Sequence, residues 1–127
     1  MFGKKKKKKV LIIEDDALLA RVMAEGFNES GFETLNAVDG FSVMDSAKKF
    51  IPNVIILDLI LPGIDGFEVL KQLKNDNKTE NIPVIVTSNL DSVPDIKSAK
   101  ALGAEEYFIK ANVQLEKIIE FAAKKAK

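Results

Sequence analysis

Short apolar runs alternate with amphipathic stretches along most of the chain. The runs are rich in Val, Ile and Leu and are too short for ordinary helices, which is typical of buried strands. They occupy 10–13, 32–38, 54–57, 83–87 and 106–109, of which 32–38 is the least apolar. The pattern therefore predicts five strands.

Between these runs, apolar residues recur at the spacing of one helix face. The first such stretch carries Leu18, Leu19, Val22, Met23 and Phe27 at this spacing. It ends near Gly31, a residue type that commonly closes helices, and Asp65 is placed to cap the third helix. The predicted helices cover 18–30, 41–50, 66–74, 91–102 and 115–122.

This alternation of strands and helices indicates an α/β fold. Strands that are apolar on both faces imply a parallel sheet covered by helices on both sides. With five strands, the leading architecture is the doubly wound, flavodoxin-like sheet with strand order 2-1-3-4-5. Ligands of such sheets bind beyond the carboxyl ends of the strands, so the residues that end the strands form the candidate site.

The stretch VIILDLILPGIDG (54–66) places one acid, Asp58, among apolar residues, where an unpaired carboxylate is costly to bury. Acids at 14–16 follow the first strand, and Lys110 follows the fifth. Carboxylates held together repel one another, so a hard divalent cation and Lys110 would neutralise this cluster. The fourth strand ends in Thr87 and Ser88, whose side chains point to opposite faces, and only one of them can reach the cluster.

Each of these residues also has an ordinary structural explanation. Asp16 is well placed to cap a helix, and a lysine after a strand is usually solvated. A hydroxyl residue at a strand end is common as well. Their joint occurrence at the ends of strands one, three, four and five nevertheless favours a functional site.

The composition excludes several kinds of chemistry. The chain has 127 residues, 46% apolar and 30% charged, as expected for one globular domain. It has no Cys and no His, which excludes disulfides, thiolate nucleophiles, His general bases and His-ligated zinc. A metal would therefore bind to oxygen ligands, which favours Mg²⁺ or Ca²⁺. The formal net charge is zero, so no overall field attracts nucleic acid.

The chain begins MFGKKKKKKV, with consecutive lysines at 4–9. Such a run can bind nucleic acid or acidic lipid, but no aromatic residues interleave with the lysines. We therefore favour a solvated, partly disordered leader over 1–9, whose last residues enter the first strand, followed by one domain over 10–127. No secretory signal core or membrane-spanning stretch is evident, so we expect a cytoplasmic protein without a direct nucleic-acid or membrane partner.

Four segments together resemble the receiver domain of bacterial two-component response regulators. They are VLIIEDD (10–16), IILDLILPGIDGFEVL (55–70), IPVIVTSN (82–89) and GAEEYFIKA (103–111). The resemblance covers nearly the whole chain after the lysine run. It implies a CheY-like signalling domain rather than an enzyme, one that assists its own phosphoryl transfer and dephosphorylation.

In that family, the acid that ends the third strand accepts a phosphoryl group from a kinase phosphohistidine. The resemblance therefore implies that Asp58 is the nucleophile and that Lys110 pairs with a phosphoryl oxygen. It also implies that Mg²⁺ is bound by Asp15, Asp58 and the backbone carbonyl of Ile60, with Glu14 acting mainly through water. A carboxylate is already ionised and needs no general base, so a chain without His or Cys can perform this reaction.

The family spacing places the hydroxyl residue five positions after Pro83 and thirty after Asp58, which selects Ser88 rather than Thr87. Tyr107 stands at the family's aromatic switch position, although it is also explained as a half-buried strand residue. Phosphorylation in this family switches the surface formed by helix four, strand five and helix five.

Two residues depart from the family pattern. Asn89 stands where a small Ala is more common. Ala111 follows Lys110 where the family usually has a Pro joined by a cis bond. Because a cis bond before a non-proline residue costs about 3 kcal/mol, the Lys110–Ala111 peptide is either trans or a strained cis bond.

The chain ends just after the fifth predicted helix, as in stand-alone chemotaxis-type receivers. We expect a sensor histidine kinase or phosphotransfer protein as phosphodonor, an unknown downstream protein partner, and a monomer or weak dimer. One alternative is a binding module of receiver fold that is never phosphorylated. The other is a flavodoxin-like cofactor binder, which is disfavoured because the acidic segment EDDALLA (14–20) would repel a phosphate.

Overall fold

The computed structural model describes residues 6–126 as a five-stranded parallel sheet flanked by five helices. The strands are β1 (Lys8–Ile13), β2 (Phe32–Ala37), β3 (Val54–Leu57), β4 (Val84–Ser88) and β5 (Glu106–Ile109). The helices are α1 (Ala17–Glu29), α2 (Val43–Phe50), α3 (Gly66–Asn75), α4 (Val93–Ala101) and α5 (Leu115–Lys125). The sheet order is β2-β1-β3-β4-β5, which confirms the predicted fold class and topology.

Alternating side chains divide the interior into two apolar layers. Leu11 and Leu57 point to the layer that packs against α2, α3 and α4. Ile12 and Ile56 point to the opposite layer, which packs against α1 and α5. The central strands are therefore apolar on both faces because both faces are covered, as the sequence pattern predicted.

Small differences from the predicted boundaries have local causes. β1 begins at Lys8, two residues earlier than predicted, because Lys8 and Lys9 pair with Phe32 and Glu33 of β2 in parallel register. The last lysines of the basic run, Lys8 and Lys9, thus belong to the sheet. Residues 1–5, which include the start of the predicted leader, lie outside the described part of the chain.

Helix α2 begins at Val43 rather than at position 41. The backbone N–H of Ser42 donates to Oδ1 of Asp39 at 3.0 Å, and the Ser42 hydroxyl donates to the Asp39 carbonyl at 3.2 Å. These bonds stabilise a turn over 39–42, and such side-chain turns compete with helix. The predicted helix therefore loses its first two residues.

Capping groups fix the helices that begin at the carboxyl edge of the sheet. Asp16 accepts hydrogen bonds from the N–H groups of Leu18 and Leu19, and Asp65 accepts one from Phe67. Both acids therefore act as N-caps, in agreement with the sequence prediction.

Gly66, the first residue of α3, lies against the backbone of Leu59. A Cβ atom at position 66 would lie 2.3 Å from Cα of Leu59, so only glycine fits. The N–H of Gly66 also donates to the carbonyl of Leu59 at 3.1 Å. This close approach fixes the loop that follows Asp58.

The helices of residues 6–126 are all too short or too polar to cross a lipid bilayer.

Candidate functional site

The acids that follow β1 and β3 meet because these strands are neighbours. Ile13 and Leu57 are paired in register, and the N–H of Asp58 donates to the carbonyl of Ile13 at 3.0 Å. Glu14 and Asp58 are 2% and 4% exposed, whereas Asp15 is exposed. One carboxylate oxygen from each of the three acids lies within 4.8 Å of the others. The predicted acidic cluster is therefore formed.

Lys110 reaches this cluster from the end of β5. Its ammonium nitrogen lies 2.6 Å from Oε1 of Glu14 and 2.7 Å from Oδ2 of Asp58. Burial opposes the charge of the ammonium group, but the hydrogen bonds to Asp58 and Glu14 outweigh it and raise the pKa of Lys110 above its ordinary value. Lys110 therefore supplies a fixed positive charge beside Asp58.

The pKa of Glu14 is raised, mainly because its carboxyl group is buried. The hydrogen bond from Lys110 opposes this rise, as does the backbone N–H of Asp16, which donates to Oε2 of Glu14 at 3.1 Å. Burial thus dominates at Glu14, while ion pairing dominates at Lys110. Three acids and one ammonium group leave two negative charges, a balance that suits a divalent cation with oxygen ligands.

The loop after β3 also contacts the central acid. The N–H of Ile60 donates to Oδ1 of Asp58 at 3.1 Å, and the Ile60 side chain is 55% exposed. This hydrogen bond fixes one carboxylate oxygen, while Lys110 contacts the other. Asp58 is therefore held by one partner from its own loop and by another from the end of β5.

Ser88 and Tyr107 form a second cluster around Leu90. The Ser88 hydroxyl accepts a hydrogen bond from the Leu90 N–H at 3.3 Å, and the Tyr107 hydroxyl donates to the Leu90 carbonyl at 2.6 Å. Ser88 is fully buried and Tyr107 is 8% exposed. Burial raises the pKa of Tyr107, and a hydrogen bond with Ser88 offsets this only in part. The hydroxyl and the aromatic residue named from the sequence are thus coupled through one backbone segment.

Thr87 lies on the other side of the sheet. Together with Lys110 and apolar residues of α1 and α5, including Met23 and Ile118, it lines a pocket of about 150 Å³. The two hydroxyl residues therefore have different neighbours, as strand alternation predicted.

The peptide bond between Lys110 and Ala111 is trans, which decides between the two predicted alternatives. The ammonium group of Lys110 still reaches both Glu14 and Asp58. A trans peptide at this position is therefore compatible with the ion pairs of the site.

Asn36 is a residue of the site region that the sequence did not reveal. Its side-chain amide donates to the carbonyls of Ile12 and Glu14, at 2.9 and 3.2 Å. It thereby fixes the backbone that carries the acidic residues. An Asn in a strand was the available signal, but its partners depend on the register between β1 and β2.

Residues 10–122 match the response regulator receiver domain family. The chain belongs to this family. It is 36% identical over 97 residues to the sporulation initiation phosphotransferase F of Bacillus subtilis, a match that covers 76% of this chain and 77% of that protein. Three other curated relatives are longer, and the matched region covers 37–40% of their length.

Solved receiver structures share the fold. The receiver domain of the Francisella response regulator 1452 superimposes with a TM-score of 0.85 at 30% identity, covering 92% of this chain and 94% of that one. The Mn²⁺-bound form of the response regulator Rcp1 gives a TM-score of 0.78 at 26% identity, covering 92% of each chain. The chain is therefore a receiver domain in sequence and in structure, and receivers are phosphoacceptor signalling domains.

Proposed function

We propose that Asp58 is the phosphoacceptor of this receiver and that it reacts in the presence of Mg²⁺. The observation that carries the proposal is the position of Asp58 between Lys110 and two further acids. A lone buried carboxylate would be destabilising, whereas this one has a cationic partner and an acidic cluster suited to a metal. Asp58 thus has the neighbours that phosphoryl transfer requires.

The reaction is an in-line displacement. An oxygen of the Asp58 carboxylate forms a bond to phosphorus, and the bond from phosphorus to the donor breaks. The donor atom, a histidine nitrogen or an acetate oxygen, leaves with the bonding electron pair. Charge develops on the three equatorial oxygens, so catalysis consists mainly of positioning and charge neutralisation. Lys110 supplies one positive charge for this purpose.

The acidic cluster fits a magnesium ion. Asp15, Asp58 and the carbonyl of Ile60 would bind it directly, and Glu14 would act mainly through bound water. The ion neutralises phosphoryl oxygens when it is bound. The Mn²⁺-bound form of Rcp1 supports a divalent cation in a receiver of similar structure. This domain thereby assists its own phosphorylation and its own dephosphorylation.

Ser88 and Tyr107 are proposed to transmit the phosphorylated state. If the Ser88 side chain moves toward a phosphoryl oxygen, the segment around Leu90, to which both residues bond, would move with it. That adjustment would alter the surface formed by α4, β5 and α5. A change of this kind is a two-state switch biased by one local charge.

The phosphodonor is proposed to be a sensor histidine kinase or a phosphotransfer protein. The relative in Bacillus subtilis is named a phosphotransferase, which supports a step in a phosphoryl relay. The downstream partner would be another protein, recognised through the α4–β5–α5 surface.

Intact mass after incubation with acetyl phosphate and Mg²⁺ tests the proposal. We expect one phosphoryl adduct on the parent and none on Asp58→Asn. Asp45→Asn, which removes an exposed acid of α2, is the matched control and should be phosphorylated normally. A parent that takes no phosphoryl group under these conditions would favour the alternative of a binding module that is never phosphorylated.

A further inference from the structure

The two residues that depart from the family pattern contact each other. The backbone N–H of Ala111 donates to Oδ1 of Asn89 at 3.1 Å. A proline at 111 would have no N–H to donate, and an alanine at 89 would have no side-chain acceptor. The two departures therefore form one interaction. Asn89 could not form it with a proline at 111, and Ala111 could not form it with an alanine at 89.

This bond extends the pairing of β4 and β5 beyond the backbone ladder. Ser88 and Ile109 are paired in register, and the N–H of Lys110 donates to the carbonyl of Ser88 at 3.0 Å. The next N–H, that of Ala111, bonds to the Asn89 side chain instead of to a backbone carbonyl. Asn89 thus adds one side-chain hydrogen bond to the end of the sheet.

The same bond fixes the middle of a turn. The N–H of Asn112 donates to the carbonyl of Ile109 at 2.9 Å, which closes a four-residue turn with Lys110 and Ala111 at its centre. The peptide between these central residues carries the N–H of Ala111, which has no hydrogen-bond acceptor inside the turn. Asn89 accepts from this N–H and so restricts rotation of the peptide that directly follows Lys110.

The position of this peptide matters because the ammonium group of Lys110 lies at the end of a long side chain, far from its own backbone. Its long, flexible side chain must place the ammonium group between Glu14 and Asp58. Such a side chain starts from its own Cα atom, and the hydrogen bonds on either side of that atom, from the Lys110 N–H to Ser88 and from the Ala111 N–H to Asn89, hold it in place. Fixing the turn therefore reduces the number of arrangements in which Lys110 misses Asp58.

We propose that Asn89 is a positioning residue that holds the turn of Lys110 and thereby holds the ammonium group on Asp58. The inference rests on the proposed role of Lys110 in phosphoryl transfer. Asn89 also directly follows Ser88, so its hydrogen bond joins the Lys110 turn to the end of β4, where Ser88 lies. In this chain, the hydrogen bond from Ala111 to Asn89 thus restrains the backbone at the position where the family usually has a proline.

The test compares Asn89→Ala with the parent protein. Phosphorylation by acetyl phosphate should be about threefold to tenfold slower in the variant, as expected for the loss of one neutral hydrogen bond. The NMR signal of the Lys110 ammonium group, recorded without donor or metal, should weaken because its protons exchange faster with water. Asn77→Ala, which truncates an exposed Asn in the loop between α3 and β4, should change neither measurement.

A double-mutant cycle isolates the hydrogen bond itself. Ala111→Pro removes the N–H donor, so adding Asn89→Ala to it should slow phosphorylation no further. The inference is overturned if Asn89→Ala costs as much in the Ala111→Pro background as in the parent. It is also overturned if Asn89→Ala leaves the Lys110 ammonium signal unchanged.

The two proposals can fail separately. If the parent is not phosphorylated at all, the proposed function fails, and the ammonium signal alone then decides the role of Asn89. If Ala111→Pro does not fold, amide hydrogen exchange at Ala111 replaces the cycle, and Asn89→Ala should accelerate that exchange about threefold to tenfold. Unchanged exchange would overturn the inference.

Discussion

The ammonium nitrogen of Lys110 lies 2.7 Å from Oδ2 of Asp58, a residue 52 positions earlier in the chain. The contact joins the ends of β5 and β3, which are separated in the sheet by β4. Lys110 also contacts Glu14, so one ammonium group is shared between two buried carboxylates. From this arrangement we predict opposite effects of Lys110 on metal binding and on phosphoryl transfer.

Lys110→Met should strengthen Mg²⁺ binding while slowing phosphorylation. The ammonium group repels a divalent cation and occupies oxygens of Glu14 and Asp58, so its removal should tighten Mg²⁺ binding by about tenfold or more. Phosphorylation should slow because the phosphoryl oxygens lose a cationic partner. Calorimetric titration with Mg²⁺ and the rate of adduct formation measure the two effects.

Lys97→Met, which removes an exposed lysine of α4, is the control for the loss of a positive charge. It should leave both quantities close to those of the parent. Weaker Mg²⁺ binding in Lys110→Met would show that Lys110 organises the acids for the metal rather than competing with it.

Ser88→Ala and Thr87→Ala should have different effects, although the two residues are adjacent in the chain. Ser88→Ala removes the hydroxyl that bonds to the Leu90 segment, so it should slow phosphorylation or uncouple it from the change around Tyr107. Thr87→Ala enlarges the pocket beside α1 and α5 and should cost mainly stability, about 1–2 kcal/mol. Adduct formation and thermal unfolding distinguish the two. A stronger loss of activation in Thr87→Ala would show that the hydroxyl has been assigned to the wrong residue.

The ionisation of Tyr107, the proposed switch residue, can be followed directly because the chain has one Tyr and no Trp. Burial raises its pKa above the ordinary value of 10.0, so the folded protein should form tyrosinate at higher pH than the same protein in denaturant. Near-ultraviolet absorbance follows this ionisation. Equal midpoints in the two states would contradict the buried position of the phenol.

The raised pKa of Tyr107 also predicts the sign of a stability change. A group whose pKa is raised by folding stabilises the fold fully below its unfolded value, here about 10, and loses that contribution as pH rises through the folded value. Tyr107→Phe should therefore show a weaker loss of stability than the parent above pH 10. Urea unfolding at a series of alkaline pH values measures this difference.

The sequence was sufficient to predict the elements whose signals are local. The bounds of β3 and β5 agree with the prediction because short apolar runs end at sharp changes of polarity. Asp16 and Asp65 cap helices, as their positions indicated. The predicted topology was also sufficient to place Asp58 close to Lys110, because parallel strands present their carboxyl ends at one edge of the sheet.

The features that the sequence did not reveal depend on tertiary geometry. The turn that shortens α2 needs the Asp39 carboxylate to meet the N–H of Ser42. The contact between Asn89 and Ala111 joins residues 22 positions apart, and each looked like an isolated departure from a pattern. Only the register of β4 and β5 shows that they are one feature.

We predict a long lifetime for the phosphoryl group because the residues two positions after Asp58 and two positions after Ser88 are both apolar. Hydrolysis needs a water molecule in line with the bond between Asp58 and phosphorus, and orienting that water is a known protein contribution. Ile60 lies two residues after Asp58, and Leu90 lies two residues after Ser88. Neither side chain can hydrogen-bond to water.

The decisive comparison for this lifetime is decay of the phosphorylated protein after donor removal, in the parent and in Ile60→Asn combined with Leu90→Glu. The double variant should lose its phosphoryl group about tenfold faster or more, since one well-placed hydrogen bond to the attacking water lowers the barrier by about 1.4 kcal/mol. Leu18→Asn, at an exposed apolar position of α1, is the control for added polarity and should decay like the parent. Rapid decay of the parent, or equal rates in parent and double variant, would mean that water reaches phosphorus past both side chains. Ile60 is 55% exposed and its N–H is bonded to Asp58, so its side chain lies close to the proposed phosphoacceptor and can obstruct that approach.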